Sequence, residues 1–467
     1  MTQNQAKLSR RGLIAILAVA VLSFIGILTE TSLNVAFPTI MKQFDVKLAT
    51  VQWLTTGYLL MVSLLMIVSA FLNKRFKTRS IFITAVSFFM LGSIIAAVAP
   101  TFWIILLGRI ISAAGTGLCI PLMFNVIVET VPVHQIGYYM GIAGMVLSMA
   151  PAFGPTFGGV MVYFLSWRMI FWIVVPFAII ALIFGMASLE QHHDLSHPDF
   201  DWVRYCLLAV AFVSLSLGFN SVSTAGWLGK AFLGSVVLAA IMLWFFIRIS
   251  KTTTKMLLNI NVFKSKTFVS SLIAYFFLQF ANIGMSFVLP TYVQIVNHQS
   301  ALIGGLILLP GSFIASAATP LFGKMLDDKG AKLPILLGNS IFAAGLIGFV
   351  FGGKILPIGL IIIFYLIFTF GRSMVFGNTM TFGLTGVSNE LRADANASFT
   401  TAQQFAGSIG TTILASIISI SQNSGQSLPQ YQLTAIGSRY AFATLLVLAL
   451  INFGLYHQAF KKNERDN

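Results

Sequence analysis

Fourteen apolar runs, separated by short polar breaks, decide most of what this chain can become. At 1.5 Å per residue, a helix needs about 20 apolar residues to cross the hydrocarbon core of a bilayer. The runs begin near Gly12, Thr50, Ser80, Thr101, Gln135, Arg168, Trp202, Lys230, Thr267, Ala301, Lys332, Leu356, Asn396 and Arg439. The twelfth, reaching about Val387, is longer than one crossing requires. Charged residues make up 9% of the 467-residue chain and hydrophobic ones 57%, whereas a soluble protein carries about 25% charged residues. That deficit excludes an ordinary globular enzyme. A barrel would show alternating segments of about ten residues. The sequence therefore predicts an all-α polytopic membrane protein with 14 transmembrane helices.

The basic start (Lys7, Arg10, Arg11) ahead of an apolar stretch is what a signal peptide would show. The stretch is long, contains Glu30 and has no convincing small-residue cleavage site, so it reads as a retained first span. The net charge of +15 fits loops on one side of the membrane better than nucleic acid. If odd spans run outward, about 20 of the 28 Lys and Arg fall inside, in clusters at 74–79, 248–266, 324–332 and 461–465. Lys42, Lys47, Arg168, Lys230, Lys354 and Arg439 are left outside. This asymmetry places both termini in the cytoplasm, with the chain multi-pass in the cell membrane. Cys119 and Cys206 lie in apolar segments and imply no disulfide framework. His192, His193 and His197 stand in an acidic stretch, 190–201, that reads as a solvated linker, because nothing nearby completes a metal-ligand set.

A repeat is visible in the loops. Ala70-Phe-Leu-Asn-Lys-Arg-Phe-Lys-Thr-Arg79 follows span two, and Gly323-Lys-Met-Leu-Asp-Asp-Lys-Gly-Ala-Lys332 follows span ten. Both are short basic connections at corresponding places in two halves. The expected organisation is a six-helix bundle (1–189), a linker with two extra spans (190–266) and a second six-helix bundle (267–467). Paired bundles about a midplane site are how alternating-access carriers are built.

One acidic residue, Glu30, falls well inside an apolar run. A carboxyl group at that depth is costly when ionised and must be paired, protonated or functional. Span five holds Gly154-Pro155-Thr156-Phe157-Gly158-Gly159, preceded by Gly141 and Gly144 and followed by Trp167-Arg168-Met169-Ile170-Phe171. Small residues let helices approach closely, and a proline frees a carbonyl and bends the span. Such a helix between bundles can act as a rocking seam. Span four carries Arg109-Ile-Ile-Ser112-Ala113-Ala-Gly115-Thr-Gly117, and span one carries Glu30-Thr31-Ser32-Leu33-Asn34-Val35-Ala36-Phe37-Pro38.

On these residues the chain resembles the major facilitator superfamily, in its fourteen-span drug/proton antiporter branch. The resemblance covers nearly the whole chain. Residues 154–159 match the antiporter motif GPxxGG. Ser112 and Ala113 stand where the family usually has Gln and Gly, and Glu30 stands where its span-one signature has Asp. The resemblance implies the major facilitator fold and links Arg109 to proton coupling. In the first cytoplasmic loop Ala70, Leu72, Arg75 and Arg79 fit the family pattern, but Lys74 replaces its acid and Lys77 its glycine. The second copy keeps them as Asp327 and Gly330. These loops are candidate cytoplasmic gates, or the first is simply a positive-inside anchor.

Counting inward from Phe37 and from Thr101, Glu30 and Arg109 lie roughly 10 and 12 Å inside their spans. The expectation is that they interact, directly or through water, and that protonation of Glu30 loosens the pair; a static ion pair is the competing reading. Polar residues stranded in spans are candidate substrate-binding groups: Asn34, Gln52, Tyr58, Tyr275, Gln279, Asn282 and Arg372, with Asn339, Asn378, Gln403 and Gln404 behind them. Each serves equally well as interhelical glue. Gln279 and Asn282 share a helix face, with Tyr275 four residues earlier. Arg372 would attract an anionic group or bond a backbone carbonyl. The 43 Phe and 18 Met suit a broad, deformable cavity.

The expected function is proton-driven antiport of lipophilic drugs, or alternatively export of an endogenous lipid, peptide or metabolite. No GxxxxGK[ST] loop supplies ATP energy, and no HExxH or GxSxG supports a membrane-embedded enzyme. No cofactor or metal is expected beyond the proton gradient. The partners would be protons, small amphipaths and lipid, with the chain working as a monomer.

Overall fold

A computed structural model describes residues 8–132, 135–191, 195–196, 199–252, 257–353 and 355–466, with side chains omitted at 389 and 462–466. His192, His193, His197, Lys7 and Lys354 lie outside the described residues. The N-terminal half contains α1 (Arg10–Phe44), α2 (Leu48–Val51), α3 (Trp53–Arg75), α4 (Thr78–Val98), α5 (Phe102–Thr130), α6 (Ile136–Phe164) and α7 (Met169–Ser188). Next come α8 (Trp202–Ala225) and α9 (Lys230–Ser250). The C-terminal half contains α10 (Lys266–Ile295), α11 (Ala301–Leu306), α12 (Leu309–Lys329), α13 (Lys332–Phe351), α14 (Ile358–Thr385), α15 (Arg392–Gln422) and α16 (Gln430–Asp466). With α2–α3 and α11–α12 each counted as one crossing, 14 described segments are long and apolar enough to span a membrane. Their lipid-facing sides are apolar too, as at Leu91, Ile183 and Leu321, because the bilayer replaces water as solvent.

The repeat that is faint in the loops is plain in the packing. In the first half, α1 packs on α6 and α7, α4 on α5 and α7, and α3 on α5. In the second half, α10 packs on α15 and α16, α13 on α14 and α16, and α12 on α14. These are the same pairs at corresponding positions, so α1 corresponds to α10 and α5 to α14. Across the two bundles α1 meets α10, α3 meets α15, and α6 meets α11 and α12. The extra helix α8 packs on α9, and on α15 and α3 at the junction of the bundles.

Two span boundaries differ from the sequence reading. α1 continues past Phe37 to Phe44, with Pro38 inside it. α16 starts at Gln430 rather than Arg439. Its polar first turns satisfy their groups against α15: Ser421 donates to the Leu433 carbonyl (2.7 Å) and Gln422 to the Thr434 hydroxyl (2.9 Å). Hydropathy alone does not register a helix that begins this way.

Arg10, Arg11, Lys74, Arg75, Lys77 and Arg79, with Lys324, Lys329 and Lys332, define a basic face. The bundles close at the opposite face. There Gln294 donates to the Val35 carbonyl (3.0 Å), and Phe37 meets Phe287 with ring centroids 5.8 Å apart. Toward the basic face, Gly137, Gly141 and Gly144 of α6 and Gly323 of α12 have open space beside them, and Tyr138 is 70% exposed. The seam between α6 and α12 is splayed at that end.

Candidate functional site

Glu30, Tyr58 and Arg109 come together where α1, α3 and α5 converge. All three are buried. The arginine sits over the Tyr58 ring, 3.9 Å from its centroid, and its Nε donates to the Leu54 carbonyl (3.2 Å). Tyr58 donates to the Gly26 carbonyl (2.9 Å) and shares a 2.6 Å hydrogen bond with Thr116. That network needs a close helix approach: Gly26 sits directly against the Thr116 side chain, where a larger residue would separate α1 from α5.

Glu30 and Arg109 act on each other electrostatically, but no direct ion pair joins them among the described contacts. Glu30 Oε2 and both terminal nitrogens of Arg109 are buried without a hydrogen-bond partner. The direct form of the expected pair is therefore absent, and the Tyr58 ring takes the contact with the guanidinium that a carboxylate would otherwise take. A neutral aromatic face holds a cation by its quadrupole and leaves the carboxyl group free. Of the described acidic residues, Glu30 and Asp201 are the buried ones. Asp201 caps α8 and pairs with Arg204 at 2.8 Å.

The other candidates divide into committed and uncommitted groups. Asn34 donates to Ser286 (3.3 Å) and accepts from Thr55 (2.7 Å), which ties the bundles together. Gln52 donates to Asn220 of α8 (3.2 Å) and accepts from Thr56 and Thr412. Asn339 bonds the Ala449 carbonyl, and Asn378 those of Phe322 and Met374. These four act as interhelical ties in this conformation, as most buried amides do. In contrast, Gln279, Asn282, Gln404 and Arg372 make no side-chain hydrogen bond among the described residues. Arg372 has not found a backbone carbonyl. Tyr275 donates to Gln403 (2.8 Å) and stacks on Phe376 at 4.2 Å, and the Arg372 guanidinium lies 5.3 Å from that same ring.

The glycine motif of α6 serves two interfaces. Gly154 and Gly158 face Thr31 and Ser32 of α1, within the first bundle. Gly159 faces the Ala301 carbonyl of α11 across the seam, and Gly305 answers by lying against the Pro155 carbonyl. A hydroxyl cluster closes the second seam: Thr56 is 2.9 Å from Thr412 and 3.1 Å from Thr411, and Ser408 donates to the Thr56 carbonyl (3.1 Å). Sequence reading missed this threonine cluster, since hydroxyls satisfied by their own helix are unremarkable in apolar spans.

The loop candidates Arg75, Arg79 and Asp327 are exposed on the basic face. Gly330 ends α12 with φ +72, a left-handed turn that favours glycine. A cavity of about 390 Å³ opens at the basic end between α1, α5 and α7, lined by Arg11, Glu129 and Glu190. It contains none of the predicted residues.

A family model described as Major Facilitator Superfamily matches residues 19–411. The lincomycin resistance protein LmrB of Listeria monocytogenes is 35% identical over 439 residues, covering 92% of this chain and 92% of that protein. The LmrB protein of Bacillus subtilis is 34% identical over 451 residues, covering 94% and 93%. A bacterial homologue of the human lysosomal transporter Spinster, solved inward-facing and unoccupied, has the same fold. It superposes with a TM-score of 0.70 at 16% identity, over 98% of this chain and 99% of that one. With its paired bundles, 14 spans and these matches, the chain is a multi-pass membrane transporter, not an enzyme, and belongs to the Major Facilitator Superfamily.

Proposed function

We propose that this transporter exports lipophilic or amphipathic drugs across the cytoplasmic membrane in exchange for protons. The carrying observation is a buried carboxyl group, Glu30, whose Oε2 has no partner while a buried arginine acts on it from beside Tyr58. Such a group can change charge without dismantling a salt bridge. Relatives named for lincomycin resistance, aligned over more than nine-tenths of the chain, support the drug as cargo. With the basic face cytoplasmic, as the charge asymmetry implies, the splayed seam opens inward and the closed one seals the outside. Cargo enters between the bundles from the cytoplasm. Glu30 takes a proton from outside after the bundles rock.

The test is drug efflux in everted vesicles, with and without a pH gradient. Efflux should follow the gradient and vanish with an uncoupler; ATP-dependent, uncoupler-insensitive efflux would overturn the reading. Rocking has its own test. Thr56 and Thr412 touch across the seam, so a Thr56→Cys/Thr412→Cys pair in a Cys206→Ser background should cross-link on oxidation. Cross-linking should stop efflux, and a reductant should restore it. Full efflux after complete cross-linking would show that this seam does not open.

A further inference from the structure

We propose that Arg372 is the centre of a second binding site, in the C-terminal bundle, for a negatively charged group on the cargo. The packing repeat makes α5 and α14 equivalent, and each carries one arginine well inside its span. The repeat also makes α1 and α10 equivalent, and there the halves part. Arg109 has a counter-charge on α1 in Glu30. α10 carries no Asp or Glu along its whole length. Among the described residues Arg372 has no ion pair and no hydrogen bond, its Nε is buried without a partner, and the ring near its guanidinium is that of Phe376, 5.3 Å away.

An arginine so placed is costly to keep uncompensated in a low-dielectric interior. An anion from outside the protein would supply what α10 lacks. The side chain is half-buried, so it is reachable. Tyr275 lies about 13 Å along α10 from the basic face, and Arg372 about 21 Å along α14 from the opposite one. Tyr275 therefore stands in the basic half of its span and Arg372 at about the middle of its own. The stacked Tyr275–Phe376 pair offers an apolar wall beside the guanidinium, and Gln279, one turn from Tyr275 on α10, is uncommitted. A planar guanidinium next to an aromatic wall suits an amphipath with a carboxylate, sulfonate or phosphate. An anionic lipid headgroup carries the same chemistry. The inference deepens the export reading by assigning part of its cargo, and it rests on that reading only for the direction of transport.

The test is equilibrium binding, without a gradient, of a sulfonated fluorescent dye and its uncharged analogue to the full chain in phosphatidylcholine nanodiscs. Arg372→Gln should weaken the sulfonate about tenfold or more while moving the analogue less than about twofold. Arg372→Lys should recover part of the loss. Equal loss for both dyes, or none for either, would overturn the proposal, with the thermal midpoint of each variant marking one that has merely unfolded. Phosphatidylglycerol that displaces the dye from wild type, together with no anion efflux, would reassign the site to lipid and overturn the cargo assignment. Because binding is read without a gradient, a failure of proton coupling would leave this result standing.

Discussion

Glu30→Gln should remove the whole gradient-driven component of efflux and leave the protein folded. Glutamine has nearly the volume of glutamate, so the close packing of α1 against α3 and α5 is retained. What disappears is the ability to change charge. Glu30 is the one described acid buried in the middle of a span, and no other described carboxyl group stands near Arg109 to replace it. The substitution also leaves Arg109 without its counter-charge, but the stack on Tyr58 and the bond to the Leu54 carbonyl remain. Those contacts should limit the fall in thermal midpoint. Glu30→Asp, which restores the family's usual acid on a shorter arm, should keep part of the coupling. If Glu30→Gln vesicles pump at the wild-type rate under a pH gradient, Glu30 is a structural charge and the coupling group lies elsewhere.

Gly158→Val should be the most damaging single change to the scaffold. A Cβ at this position would drive into the Ser32 carbonyl of α1, which is backbone and cannot swing aside. Overpacking of this kind costs about 1–3 kcal/mol, and transport should fall with the thermal midpoint. Gly159→Val should behave differently. Its Cβ would come 2.7 Å from the Ala301 carbonyl across the seam, so it obstructs closure of the bundles rather than packing within one. Efflux should drop while the thermal midpoint changes little. Gly141→Ala, which meets nothing within 4 Å, should leave the midpoint unchanged. Equal midpoints for the Gly158 and Gly141 variants would show that the α1–α6 contact is looser than it looks.

Much of the scaffold was legible in the chain because apolar length is a strong and local signal. The 14 crossings follow from it, as does the repeat, once the basic loops after spans two and ten are set side by side. The misreadings arose where satisfaction is tertiary. The start of α16 was hidden because Gln422 and Ser421 of α15 satisfy its polar first turns. Asn34, Gln52, Asn339 and Asn378 serve in the sequence equally well as cavity groups or as interhelical glue, and in this structure each bonds a neighbouring helix. Nothing local distinguishes them from Gln279 or Asn282, which make no side-chain hydrogen bond among the described residues. Glu30 and Arg109 were expected to meet, and depth along two helices correctly brought them near one another. That an aromatic ring from a third helix would cover the arginine was beyond such arithmetic.

By itself the sequence determined the class of the molecule, the number and order of its spans, and the residues whose charge demands explanation. Those properties follow from the cost of polar groups in hydrocarbon, which acts on each segment alone. Only the tertiary structure decided which charges have partners. Arg109 and Arg372 are alike as sequence, each a lone cation in an apolar run. The packing repeat sets them in equivalent helices, one beside an acid-bearing partner and one beside a helix with no acid. Whether a buried charge is compensated depends on what neighbouring helices bring to it, and that is a property of the fold.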